Sequence, residues 1–141
     1  MDAFNILSQS KTSGAQSYFS FFRKAWEGDW GKLFLCWCDR GGEPQWLIAT
    51  LEKDQEIQTS KEIALSPKGF ESLMSSLEGM GIHDLGSQDS ALIMADYDDI
   101  VGVRFPDGST NSYSVRGGKH ADRRQDGVID LVLDLVPNFA S

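Results

Sequence analysis

Leu33-Phe34-Leu35-Cys36-Trp37-Cys38, closed by Asp39-Arg40-Gly41-Gly42, is the stretch that decides the fold. It is apolar at odd and even positions alike. A strand with that pattern is covered on both faces. The two glycines suit a hairpin turn, and Trp46 to Leu51 is the natural return strand.

On the N-terminal side, Ala15 to Trp26 carries Tyr18, Phe19, Phe22 and Trp26 at i, i+1, i+4 and i+8. That spacing predicts a helix, with a strand as the rival because aromatic residues favour strands. Residues 1–14 read as a flexible or short helical arm ahead of a single domain, 15–141. On the C-terminal side, Glu56 to Ile63 alternates weakly and reads as a further strand. Ser66-Pro67 marks a helix start: serine caps free N–H groups, and proline fits the first helical position. Phe70, Leu73, Met74 and Leu77 follow at i, i+3, i+4 and i+7, so a helix is expected over 67–79. Ala91 to Ala95 is a short apolar run. Asp99–Phe105 and Asn111–Arg116 alternate about Pro106-Asp107-Gly108-Ser109, which is turn chemistry. From Asp122 to about Val136 the aspartates Asp126, Asp130 and Asp134 recur every fourth residue, which favours a helix over a strand.

Strand pairs interleaved with helices predict an α+β domain: an antiparallel sheet of about four to five strands, with two to three helices packed mainly on one face. At 141 residues the chain is long enough for one ordinary core. With 40% apolar and 24% charged residues it has globular proportions. No run of ~18 apolar residues could cross a membrane as a helix. The N-terminus lacks the basic and apolar regions of a secretory signal. The only two cysteines, Cys36 and Cys38, make no disulfide framework, so a reducing, cytoplasmic setting is expected.

The net charge is −8. A field of that sign repels phosphate backbones and anionic lipid, so neither nucleic acid nor a membrane is the expected partner. Between Gly69 and Val103 there is no lysine or arginine, while Glu71, Glu78, Asp84, Asp89, Asp96, Asp98 and Asp99 all fall there. Arg116, Lys119, Arg123 and Arg124 then form a basic cluster.

Catalytic and metal signatures are lacking. An EF-hand loop beginning at Asp96 would need an oxygen ligand where Ile100 sits and glycine where Val101 sits. His83 and His120 have no ligand spacing to each other or to the cysteines. The stretch Arg116-Gly117-Gly118-Lys119-His120 lacks P-loop spacing, and no Gly-x-Ser-x-Gly elbow occurs. Cysteines inside an apolar strand make poor nucleophiles. No cofactor, metal or catalytic residue is therefore expected.

Nine of the fifteen aromatic residues lie between Tyr18 and Trp46, including every tryptophan. Most of this block should be core, with one or two tryptophans, Trp26 or Trp30 beside the glycines, as exposed binding anchors. The reading that follows is a non-enzymatic, acidic protein-binding module, monomeric or weakly dimeric. Its partner would be a basic protein, as an immunity protein against a basic toxin or nuclease requires. The candidate partner-binding residues are Asp84, Asp89, Asp96, Asp98, Asp99, Asp126, Asp130, Asp134 and Trp30. The alternative is a small enzyme or ligand-binding domain with an aromatic-lined pocket that holds His83 or His120.

Overall fold

In the computed structural model, which describes residues 3–25, 30–51, 58–60, 65–86, 97–116 and 123–136, the aromatic segment expected as a helix is a strand. α1 (Ala3–Thr12) comes first, followed by β1 (Ala15–Ala25). The correction has a physical reason. Phe19 and Phe21 are buried toward one side of β1, and Phe22 belongs to a separate buried cluster on the other. A strand with neighbours on both edges and cover on both faces dries aromatics that point either way. A helix can dry only one stripe of them.

β2 (Gly31–Asp39) and β3 (Gln45–Leu51) form the expected hairpin, and β2 is almost wholly buried, as its double-sided apolarity requires. Gly41 in the connecting turn has φ of +78°, a conformation that costs a side-chain-bearing residue steric energy. β4 (Gln58–Ser60) is a short addition at the edge within the weakly alternating segment. β5 (Tyr97–Arg104) and β6 (Thr110–Arg116) form the second hairpin about the Pro106–Ser109 turn. There the Asp107 carboxylate accepts hydrogen bonds from the backbone N–H and the hydroxyl of Ser109. β5 returns to pair with β1, giving one antiparallel six-stranded sheet of order β4-β3-β2-β1-β5-β6. The sheet is thus slightly larger than the sequence suggested.

α2 (Pro67–Gly79) begins where local chemistry placed it. Ser66 Oγ accepts a hydrogen bond from the Gly69 N–H at 3.0 Å, and Pro67 opens the first turn. Phe70, Leu73, Met74 and Leu77 form its buried stripe. A 3-10 turn (Ile82–Asp84) follows, and α3 (Arg123–Leu135) closes the described chain. Val128 and Val132 of α3, and Val136 beyond it, join the α2 stripe. Together they cover the face built from Phe19, Phe21, Phe34, Cys36, Ile48, Val101, Val103, Tyr113 and Val115. Two amides fasten the 3-10 turn to its neighbours. Asn111 Nδ2 on β6 donates to the Ile82 and Leu85 carbonyls, and Gln125 Nε2 on α3 donates to the Gly86 carbonyl.

The other sheet face carries Phe22, Leu33, Leu35, Trp37, Leu47 and Ala49, with Leu7 of α1 packed against them. Lys11 of the same helix holds its ammonium 5.9 Å from the Trp37 ring centroid. The expected arrangement of helices on mainly one face holds for α2 and α3, while α1 takes the opposite side. The apolar run Ala91–Ala95 lies outside the described residues.

Each large side chain in the α2–sheet layer contributes roughly 1.5–3 kcal/mol by leaving water. Phe21→Ala should therefore cost about 3–5 kcal/mol in urea denaturation. Ser66→Ala, which removes one cap bond, should cost about 1 kcal/mol. Equal losses in the two variants would contradict this division between core and cap.

Candidate functional site

The pleat sorts the acidic residues that the sequence presents as one patch. Odd positions of β5 (Asp99, Val101, Val103) face the helices, and even positions (Asp98, Ile100, Gly102) face away. Asp99 is only 1% exposed and is not on the surface expected of it. It forms a bidentate pair with Arg23 on β1: Nε donates to Oδ1 at 2.8 Å and an Nη to Oδ2 at 3.1 Å. A buried carboxylate needs such a partner, because desolvating either charge alone costs several kcal/mol. Burial by itself would lower the Arg23 pKa, but the hydrogen bond and charge of Asp99 outweigh it and hold it raised.

Asp98 points the other way. In register it stands opposite Lys24, a base on the neighbouring strand β1. Asp84, Asp130 and Asp134 are exposed on the 3-10 turn and α3, and Asp126 is half-buried in the first turn of α3. His83 Nε2 lies 3.5 Å from the Asp84 carboxylate, both of them in solvent. Trp26, Asp89 and Asp96 lie outside the described residues. The structure therefore keeps Asp84, Asp126, Asp130 and Asp134 together on the helix layer, and separates Asp98 and Asp99 from them.

Among the described residues the charge is unevenly shared. The helix layer (65–86 and 123–136) carries Glu71, Glu78, Asp84, Asp126, Asp130 and Asp134 against Lys68, Arg123 and Arg124. The strands and α1 carry Lys11, Arg23, Lys24, Lys32, Arg40, Arg104 and Arg116 against Asp39, Glu43, Asp98, Asp99 and Asp107. The helix layer is thus the acidic part. Its α3 stripe is also internally repulsive: no base stands three or four residues from Asp130 or Asp134. Like charges at that spacing cost a few tenths of a kcal/mol per pair.

Trp30 is 37% exposed, as an anchor requires. Its ring rests on Tyr97, centroids 6.5 Å apart and planes at 57°. Tyr97 in turn lies over the Arg23 guanidinium, 4.3 Å from ring centroid to Cζ. The half-exposed indole therefore stands on an aromatic–cation stack rooted in the buried ion pair. Arg23 and Tyr97 went unnoticed in the sequence. Arg23 sits in a run that fits a helical period, and its partner is 76 residues away.

A cleft of about 440 Å³ opens between α1 and the β2–β4 side of the sheet, lined by Leu7, Lys11, Trp37, Gln45, Trp46, Leu47 and Thr59. It is aromatic-lined, as the ligand-binding alternative expects. His83 does not line it, and His120 lies outside the described residues. Cys36 and Cys38 are free thiols. Burial pushes the Cys36 thiol far up, and burial together with the Asp39 charge raises Cys38. Neither is poised as a thiolate. Among the described residues no cluster of three histidine, cysteine or carboxylate side chains could hold a metal ion. No helix among them is long and apolar enough to cross a membrane. No known family model matches the chain, and no curated protein matches it.

The ion pair makes a clear forecast. Asp99→Asn leaves a buried guanidinium without its counter-charge and should cost about 3–5 kcal/mol in urea denaturation. Replacing both partners, as Arg23→Met with Asp99→Leu, should recover most of that loss. A single variant as stable as the parent would remove the pair from the account.

Proposed function

We propose that the chain acts by binding rather than turnover, and that its helix layer docks onto a basic protein. The observation that carries this reading is the α3 stripe. Asp130 and Asp134 are exposed, repel each other along the helix, and have no base within helical reach. A cationic surface laid against them removes the repulsion and is attracted from a distance. Asp126, Asp84, Glu71 and Glu78 extend the same field across the layer. Asp98 and Asp99 are withdrawn from the docking set, because one stands opposite Lys24 and the other is buried against Arg23. Trp30 supplies a second, aromatic contact point, held in place by Tyr97 and Arg23.

The partner class this suits is a basic protein met through complementary charge. A nuclease or other basic toxin neutralised by an immunity protein belongs to that class. The rival reading, a small enzyme or ligand-binding domain, draws on the cleft beside Trp37. Its described lining offers two indoles, an amide, a hydroxyl and one ammonium, with no imidazole or carboxylate beside them. That favours binding over catalysis.

The test uses the immobilised chain and a lysate of the source organism. At low salt the parent should retain a protein of high isoelectric point and release it as salt rises. The Asp130→Asn/Asp134→Asn variant should retain much less of it. The variant should also be as stable as the parent or a few tenths of a kcal/mol more stable, since it loses a like-charge pair. Retention indifferent to both salt and variant would overturn the reading.

A further inference from the structure

α1 covers only part of the sheet face on which it lies. With its side chains a helix is about 10–12 Å across, the width of roughly two strands spaced ~4.8 Å apart. α1 packs mainly over β1 and β2, which leaves β3 and β4 beside it on that face. The cleft of about 440 Å³ opens along this step. Its size falls within the ~300–1,000 Å³ of pockets that hold small molecules. The pleat decides what lines it. Trp37 pairs with Gln45 across β2–β3, Leu35 with Leu47, and Ala49 with Thr59 across β3–β4, so Trp37, Gln45, Leu47 and Thr59 share the α1 face. Leu7 and Lys11, one helical turn apart on α1, close the other side.

The walls divide by chemistry. Leu47 and the Trp37 indole are buried and form an apolar floor, with half-buried Leu7 beside them. Lys11, Gln45 and Thr59 are exposed, so their polar ends are open to whatever enters. Among the described residues no carboxylate pairs with Lys11, and none lines the cleft. The ammonium lies instead 5.9 Å from the Trp37 ring centroid. That contact holds the charge at the mouth of the cleft and leaves N–H donors for an incoming acceptor. Gln45 adds an amide and Thr59 a hydroxyl to the same rim. A cation would be repelled here. A polyanion would meet the net charge of −8 of the whole chain. One negative charge on an apolar body suits both parts of the wall.

We propose that the cleft between α1 and β2–β4 binds a small amphipathic carboxylate, its acid group at Lys11 and its apolar body against Trp37, Leu7 and Leu47. The site lies on the face opposite the acidic helix layer and does not depend on the docking reading. The lysine stem is flexible, so the ammonium can turn from the indole to a carboxylate without any movement of α1. Because Lys11 is exposed, the ion pair forms at the mouth, where neither charge is stripped of water. Burial of the apolar body supplies the affinity, and the lysine supplies the choice of charge.

The test is a titration of the ¹⁵N-labelled full chain near neutral pH and at constant ionic strength, with a matched series of probes: phenylpropionate, phenylpropanol, phenylpropylammonium and acetate. Phenylpropionate should move the Trp37 indole N–H and the Lys11 and Thr59 amides saturably, while the Trp30 indole, on the other side of the sheet, stays fixed. Phenylpropanol, the same body without the charge, should need several-fold more ligand. Phenylpropylammonium and acetate should not saturate. Lys11→Met keeps the stem and should erase the preference for the carboxylate over the alcohol, and Lys11→Arg should retain it. Equal affinity for carboxylate and alcohol in the parent, or a preference that survives Lys11→Met, would overturn the assignment. So would the absence of saturable movement at Trp37, or equal movement at Trp30. The parent titration stands whether or not the variants fold.

Discussion

Everything in this molecule depends on β1 being covered on both faces and paired on both edges. Its pleat sends Phe19, Phe21 and Arg23 toward the helices and Phe22 toward α1. With β2 on one edge and β5 on the other, each neighbour's register is set against that alternation. A slip of one residue would turn every one of these side chains to the wrong face. The Arg23–Asp99 pair adds to this constraint. Arg23 enters a dry layer, so β5 must present Asp99, and not Asp98, on the same face. The positions of Tyr97 and Trp30 follow from that one choice.

How much of this could be read from the amino acids depends on how local the signal is. α2 is legible residue for residue because its cap, its proline and its apolar stripe all lie within the helix. Both hairpins are legible from their turn chemistry. β1 is misread because the same residues fit two periods. Tyr18, Phe19, Phe22 and Trp26 satisfy a helical spacing, while the strand alternation is masked by aromatics on both faces. Only the neighbouring strands decide between the two, and they are not visible from within the segment. The candidate site suffers in the same way. Asp98 and Asp99 are adjacent in sequence, yet the pleat turns one to the face opposite the helices, across from Lys24, and the other to the core. No composition count separates them. The helix that carries Asp126, Asp130 and Asp134 is legible because a period of four within one helix is a local fact.

Two features of opposite sign result, on opposite faces of one sheet. On the helix side, Asp130 and Asp134 remain in water with no base three or four residues away on α3, and a half-exposed indole stands on a tyrosine–arginine stack. On the far side, the Lys11 ammonium has no carboxylate among the described residues. An arrangement in which acids and bases neutralised one another within the molecule was available, as Arg23 and Asp99 demonstrate. The proposal that the chain acts by binding rests on the α3 carboxylates that have no base within helical reach.

The most direct test of that claim is to read the surface potential itself. Paramagnetic cosolutes of matched size, one cationic and one anionic, enhance amide-proton relaxation wherever each accumulates. The account predicts that the cationic probe gathers at α3 around Asp130 and Asp134. The anionic probe should be relatively enriched at the Leu7, Lys11 and Thr59 amides on the opposite face. The same ratio of the two effects on both faces would contradict it.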